Sequence, residues 1–107
     1  MSWLGLSDNL CWVKVHHSRS GEVVVAICDS ELVGRKLTIT GGAKVDVSRA
    51  FYCGVLVESE ELEKYIKQGT IINILGRKSV EAAIKAGFAR REAVIHIDGV
   101  PHIQIFL

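Results

Sequence analysis

The sequence predicts an α+β fold: a single compact domain with a mixed β-sheet, two to three short helices, and β-hairpins at its N- and C-terminal ends. Residues 60–68, 71–75, 79–86 and 93–98 alternate between helical and extended patterns, which requires at least one crossover connection. Short extended segments joined by turn-forming residues lie before and after this region, and they indicate antiparallel hairpins.

Size and composition limit the classes of protein to which this chain can belong. Its 107 residues are enough to bury a core, and we expect an N-terminal arm over 1–10 and a single α+β domain over 11–107. We find no charged leader before an apolar segment and no apolar run of membrane-spanning length. We therefore expect a cytoplasmic protein without membrane association. Three cysteines lie far apart in the chain, and we interpret them as reduced, buried thiols: Cys11, Cys28 and Cys53.

The first predicted elements are two strands over residues 11–17 and 22–28, joined by a turn over 18–21. The first strand alternates between apolar and polar residues, whereas residues 23–27 form a continuous apolar run. Because such a run is typical of a strand with apolar neighbours on both sides, we expect the second strand to be covered on both faces.

Turn-forming residues organise the next segment. We expect Asp29 to cap a short helical turn over residues 30–33. Residues 35–40 and 43–48 then predict a second hairpin, because Gly41-Gly42 between them suits the positive φ angles of a tight turn.

A bent strand and a capped helix are predicted next. Residues 51–57 are mostly apolar but are interrupted by Gly54, so we expect a bent or bulged strand there. Ser59 has the position of an N-cap for a helix over residues 60–68, and Gly69 has the position at which that helix would end.

The most informative segment follows that helix. An apolar strand over residues 71–75 stops at Gly76, and after Arg77-Lys78 comes a helix over residues 79–86 with Ser79 as its N-cap. The two cations lie next to the unpaired N–H groups of a helix start, and together they outline an anion site. Because the segment lacks the spacing of a P-loop, a capped helix with two solvated cations is the alternative interpretation.

Charge is divided unevenly along a chain whose net charge is +1. Residues 20–63 contain four basic and eight acidic side chains, whereas residues 64–91 contain seven basic side chains and one acidic side chain. A basic half of this kind suits the phosphate backbone of a nucleic acid. The alternative is that the cations face the acidic segment within the fold. The first interpretation predicts that phosphate or RNA is bound by Gly76, Arg77, Lys78, Ser79, Lys85, Arg90 and Arg91.

A final hairpin is predicted, with residues 99–101 as a three-residue loop. This loop would create one polar face by pairing Asp98 with His102 and His96 with Gln104. Two imidazoles and a carboxylate could hold a metal ion or transfer protons, but a solvent-facing side of a hairpin explains the row without chemistry. We therefore expect no catalytic residue, no metal and no cofactor.

Four segments in combination resemble a known family. They are E-V-V-V-A-I-C-D-S-E-L-V-G (22–34), V-D-V-S-R-A-F-Y-C-G (45–54), I-I-N-I-L-G-R-K-S-V-E-A-A-I-K-A-G (71–87) and I-D-G-V-P-H-I-Q-I (97–105). Over nearly the whole chain after residue 10, the sequence resembles the small archaeal family known as domain of unknown function 424. The resemblance implies an archaeal, cytoplasmic protein of one α/β domain, associated with RNA and the translation machinery. It implies no established activity and supplies no catalytic residues.

Three classes of function are compatible with these observations. The first is a non-enzymatic RNA-binding module of the ribosome or translation machinery, with RNA or a ribonucleoprotein as partner. The second is a protein-interaction or homo-oligomerising domain, because 49% of the residues are hydrophobic and residues 103–107, I-Q-I-F-L, could form an exposed edge strand. The third is an enzyme on a small phosphorylated substrate, in which His96 or His102 acts at the predicted anion site. The scarcity of Asn and Gln is typical of a thermophile.

Overall fold

The computed structural model describes residues 9–107, so the predicted arm lies outside the described residues except for Asn9 and Leu10. The α+β prediction is confirmed by the strands and helices of this range. Within it, the longest helix has nine residues, and none is long and apolar enough to cross a membrane. The elements are β1 (Leu10–His17), β2 (Val23–Asp29), β3 (Lys36–Thr38), β4 (Lys44–Asp46), α1 (Arg49–Tyr52), β5 (Val55–Glu58), α2 (Leu62–Ile66), β6 (Ile71–Leu75), α3 (Arg77–Lys85), β7 (Ile95–Ile97) and β8 (Val100–Phe106).

Six of the strands form a mixed sheet in the order β5-β1-β2-β6-β8-β7, and β3 and β4 form a separate hairpin. β2 and β6 run parallel, with Val24 opposite Ile71 and Cys28 opposite Leu75. The other neighbouring pairs in this sheet are antiparallel. The parallel pair confirms the predicted crossover, and it brings the ends of β2 and β6 to the same edge of the sheet.

The central sheet is covered on both faces, which gives the domain three layers. Side chains alternate along β2, so Val25 and Ile27 pack with α2 and α3, whereas Ala26 and Cys28 pack with the β3–β4 hairpin and α1. All four side chains are buried. The prediction that β2 is covered on both faces is therefore confirmed, as is the hairpin around Gly41-Gly42.

The three cysteines are free thiols. Cys11 and Cys28 are buried, as expected, whereas Cys53 is only half-buried. Burial raises the pKa of the Cys11 thiol to about 11, and it also raises the pKa of Cys28. Both buried thiols are therefore protonated at neutral pH, and they serve as small core side chains.

The segment predicted as a bent strand over residues 51–57 is divided between a helix and a strand. α1 has Ser48 as its N-cap, and the Ser48 hydroxyl accepts a hydrogen bond from the Phe51 N–H at 3.2 Å. The chain becomes extended only at β5, after Gly54, where a Cβ would lie 2.5 Å from the Val13 carbonyl oxygen of β1. The prediction is wrong because an N-cap serine outweighs the strand propensity of a short apolar run.

The helix predicted over residues 60–68 is shorter than expected. A 3-10 turn, Ser59–Glu61, precedes α2, and neither element has a side-chain hydrogen bond at its cap. The prediction that Ser59 caps this helix is therefore wrong. The Gly69 N–H donates to the Ile66 carbonyl at 3.1 Å, so the helical segment ends where a glycine was expected to end it.

α3 begins two residues before its predicted start. Its N-cap is Gly76, with a φ of 114°, and Ser79 lies inside the first turn. The Asp29 carboxylate, at the end of β2, accepts hydrogen bonds from the Lys78 N–H at 3.0 Å and the Ser79 N–H at 2.8 Å. The Ser79 hydroxyl donates to the same carboxylate at 2.7 Å. The prediction that Ser79 is the N-cap is therefore wrong. Asp29 does occupy the N-cap position of the 3-10 turn Ser30–Leu32, but its side chain makes no hydrogen bond to that turn and bonds to α3 instead.

Asp29→Ala should lower the free energy of unfolding by about 2–4 kcal/mol, because two N–H groups of α3 and a buried hydroxyl lose their acceptor. Chemical denaturation measures this change. Asp46→Ala, which removes an exposed carboxylate, is the control and should leave stability nearly unchanged. Equal stability of the two variants would contradict this role for Asp29.

Candidate functional site

The protein's own Asp29 occupies the predicted anion site at the start of α3. Asp29 is only 2% exposed, and its carboxylate accepts hydrogen bonds from the N–H groups of Lys78 and Ser79. The Gly76 N–H donates to the Pro101 carbonyl at 2.8 Å, so it too is used within the fold. Gly76 and Ser79 are themselves buried. An external phosphate therefore has no access to the N–H groups on which the predicted site depended.

Two of the predicted cations are held by acidic side chains. Lys78 forms an ion pair with Glu31 at 3.0 Å, and Arg91 donates to both carboxylate oxygens of Glu81, at 2.7 and 3.0 Å. Burial alone would raise the pKa of Glu31, but hydrogen bonds from Lys78 and from its own backbone outweigh burial and lower that pKa. The hydrogen bond from Arg91 likewise lowers the pKa of Glu81. Both pairs are therefore ionised at neutral pH.

Three other predicted cations have no such partner. Arg77, Lys85 and Arg90 are exposed, and within the described residues none of them has a carboxylate oxygen within 4.0 Å. The interpretation that the cations face the acidic segment is thus correct for Lys78, which contacts Glu31. Arg77, Lys85 and Arg90 present their charge to solvent.

A groove of about 790 Å³ lies beside α3 and the 3-10 turn Ser59–Glu61. It contains four of the predicted cations and three acidic side chains, so its walls are mixed in charge. Arg90 is not among its lining residues. The cations of the groove are Arg77, Lys78, Lys85 and Arg91, and its acidic residues are Glu60, Glu63 and Glu81.

The final hairpin differs from its prediction by three residues in register, since His96 pairs with Pro101 rather than with Gln104. Ile95 pairs with His102 and Ile97 with Val100, around a two-residue turn rather than a three-residue loop. The turn is Asp98-Gly99, whose φ angles are both positive, at 53° and 78°. The prediction is wrong because Asp-Gly, a strong determinant of two-residue hairpin turns, outweighs the alternation that favoured the longer loop.

The predicted polar row is not formed. Because a shift by an odd number of residues moves the side chains of a strand to the other face, His96 lies on one face and His102 and Gln104 on the other. Asp98 belongs to the turn, where its carboxylate accepts a hydrogen bond from the Thr38 N–H at 3.0 Å. Across residues 9–107, no three His, Cys, Asp or Glu side chains are grouped so that they could hold a metal ion.

His102 lies instead in a cavity, with two residues that the sequence analysis missed. It pairs with Leu75 across the sheet, and its buried Nδ1 has no hydrogen-bond partner among the described residues. Burial lowers the pKa of the imidazole, and the Ile74 carbonyl only partly opposes this effect. In the same cavity, the Tyr52 hydroxyl donates to the Asn73 amide oxygen at 3.2 Å.

Asn73 could have been identified from the sequence, since it is the one polar residue in the apolar strand Ile71–Leu75. Tyr52 could not, because its segment was assigned to a strand. The position of His102 also bears on the enzyme hypothesis. α3 packs on the face of Ile72 and Ile74, whereas His102 lies on the opposite face of the sheet. The His102 side chain therefore cannot act as an acid or base on a substrate bound at the start of α3.

Acid should destabilise this fold partly through His102. Because its folded pKa is lowered, the unfolded chain binds the proton first as the pH falls below about 6.5, and stability is lost as the pH falls through the folded pKa. Denaturant titrations at about pH 7 and about pH 5 measure the difference in the free energy of unfolding. His102→Gln, which stays neutral, should show a smaller loss, with exposed His17→Gln as its control. Equal losses in the two variants would contradict the assignment.

Similarity to known proteins extends over most of the chain. A crystal structure of an uncharacterized conserved protein from Methanopyrus kandleri is similar to this structure, with a TM-score of 0.79 and 29% sequence identity. The similarity covers 91% of this chain and 90% of that chain. Among curated proteins, none matches the sequence significantly. The family model described as "Protein of unknown function (DUF424)" matches residues 16–107, and the chain therefore belongs to that family, as its sequence resemblance predicted.

Proposed function

We propose that this chain is a non-enzymatic RNA-binding module that holds the phosphate backbone with cations at the surface of α3. The proposal depends on one observation: Arg77, Lys85 and Arg90 are exposed and have no ion pair among the described residues. Arg77 and Lys85 are separated by about 12 Å along the helix axis, so they would contact different phosphates. Gly76 and Ser79 take no part, since both are buried.

The surrounding charges restrict where an RNA strand can lie. Glu60 and Glu63 line the groove beside α3, and their charges repel phosphate. Lys78 and Arg91 are already held by glutamates. The strand is therefore confined to the outer surface of α3, where about two or three phosphates would be contacted, and such contacts position a backbone without reading its sequence.

Because the surface of α3 would contact only about two or three phosphates, a partner that presents many phosphates close together suits it best. A folded RNA presents many phosphates to a small rigid surface, and it is recognised largely by shape and backbone. We therefore place ribosomal or transfer RNA, alone or in a ribonucleoprotein of the translation machinery, first among the partners.

The double variant Arg77→Glu, Lys85→Glu should lose RNA binding, because two phosphate contacts become repulsive. Fluorescence anisotropy with a labelled RNA measures the affinity. For the unmodified chain, the logarithm of the binding constant should fall against the logarithm of salt concentration with a slope of about −2, at about −0.7 for each of three phosphates on a single strand.

Arg19→Glu with Lys44→Glu is the matched control, since it changes the net charge equally at exposed positions outside α3. This control should bind RNA nearly as well as the unmodified chain. Equal affinity of the two double variants, or binding that does not respond to salt, would show the proposal to be wrong. Circular dichroism checks that each variant is folded.

We propose self-association as a second function, because part of β8 has an open edge. β7 pairs only with residues 100–102, so the outer edge of residues 103–106 has no strand partner in the part of the chain that the structure describes. Phe106 and Leu107, at its end, are 69% and 59% exposed. An uncharged, unpaired edge with exposed apolar side chains is a template for antiparallel pairing with a second copy.

Sedimentation equilibrium should detect a dimer of the unmodified chain at high protein concentration. Phe106→Asp should shift this equilibrium to the monomer, because pairing would bury the new charge. Ile39→Asp, which alters an exposed apolar residue outside the sheet, should leave the dimer unchanged. A strict monomer at every concentration would refute self-association.

A further inference from the structure

A second cavity, of about 280 Å³, lies on the face of the central sheet opposite α3. Its lining comes from β6 and β8, from the β3–β4 hairpin and from α1, and its apolar side chains include Leu37, Val47 and Leu75. The volume lies near the lower limit of small-ligand sites, which is about 300 Å³. The cavity therefore suits a single small ring system rather than a long ligand.

Three polar groups converge in this cavity. Asn73 and His102 lie on the same face of neighbouring strands, and Tyr52 enters from α1. The Tyr52 hydroxyl donates to the Asn73 amide oxygen, which leaves the amide NH₂ group available to a ligand. His102 is the third polar residue of the lining, but its Nδ1 is too deeply buried for a ligand in the cavity to contact it.

The cavity favours a neutral ligand. Among the described residues that line it, Asp46 carries the one formal charge, and Asp46 is paired with Lys36 at 2.8 Å. Burial lowers the pKa of His102 and raises the pKa of Tyr52, so both side chains are neutral at physiological pH. A phosphate or carboxylate would lose its hydration here without gaining a cation.

We infer that this cavity binds a nucleobase, a flat neutral ring whose edge carries neighbouring hydrogen-bond donors and acceptors. The Asn73 amide suits such an edge, and the Tyr52 oxygen can accept a hydrogen bond from it. The apolar side chains of the lining, among them Leu37 and Leu75, would contact the faces of the ring. This inference does not rest on the proposed function, because the cavity and the cations of α3 are on opposite faces of the sheet.

Nuclear magnetic resonance of the isotope-labelled full chain tests the inference with adenosine, guanosine, cytidine and uridine as probes. At least one nucleoside should cause saturable shifts at the Asn73 side-chain amide and at the His102 ring, since both residues line the cavity. Failure of all four probes to saturate these signals at millimolar concentration would overturn the inference.

Matched variants test which side chains carry the binding. Asn73→Ala and Tyr52→Phe should each weaken nucleoside binding by about 5- to 10-fold, because one hydrogen bond is lost. Gln104→Ala is the control, since Gln104 pairs directly with Asn73 across the sheet but does not line the cavity. It should leave the affinity unchanged. Equal affinity in all three variants would also overturn the inference.

The base can come from a free nucleoside or from an unstacked position in single-stranded RNA. A short single strand of the preferred base distinguishes these sources: shifts at Asn73 and His102 with the strand indicate RNA, and shifts with the nucleoside alone indicate a free ligand. The variant Arg77→Glu, Lys85→Glu should keep its nucleoside affinity. The RNA-binding proposal can therefore be wrong while the cavity still binds a nucleoside, and the two results are measured independently. Loss of nucleoside binding in that variant would overturn the assignment to this cavity.

Discussion

The Asp29 carboxylate joins the central sheet to its helical layer, and the structure at this edge of the sheet depends on it. The carboxylate fixes the first turn of α3 through the N–H groups of Lys78 and Ser79. Because α3 follows β6, the parallel neighbour of β2, the helix start and Asp29 come to the same edge. Gly76 is required there, since its φ is 114° and a Cβ would collide with the carboxyl group. The buried Asp29 carboxylate and the positive end of the α3 dipole thus stabilise each other.

This internal cap changes where the protein can attract an anion. The positive end of the α3 dipole is already neutralised, so any remaining attraction comes from side chains. Glu31, in the 3-10 turn that follows β2, forms an ion pair with Lys78, so one of the two cations at the helix start is already neutralised. Of the cations that were predicted to bind phosphate, three therefore remain exposed without an ion pair among the described residues: Arg77 and Lys85 on α3, and Arg90 beyond its end.

Elements with local causes could be predicted from the sequence, and those with distant causes could not. The apolar run of β2 identified a strand covered on both faces, and Gly41-Gly42 identified a hairpin. The last hairpin also had a local determinant, Asp98-Gly99, but the alternating isoleucines favoured the wrong register. The partners of Asp29 in its cap are 49 and 50 residues away, and no pattern in a single sequence links them. The prediction of an anion site was wrong for that reason, since the carboxylate that occupies it, that of Asp29, is distant in the sequence.

The lining of the second cavity conflicts with what stability alone would favour. Asn73 interrupts an apolar central strand, between Ala26 of β2 and Gln104 of β8, and an apolar side chain there would pack without a hydrogen-bond requirement. Tyr52 satisfies only the amide oxygen of Asn73, and His102 keeps a buried nitrogen unpaired. A buried polar network with unsatisfied groups makes a fold less stable than apolar side chains at the same positions would. Departures of this kind concentrate at functional sites, and a ligand that bonds to the free amide NH₂ group of Asn73 accounts for a polar residue in this apolar strand.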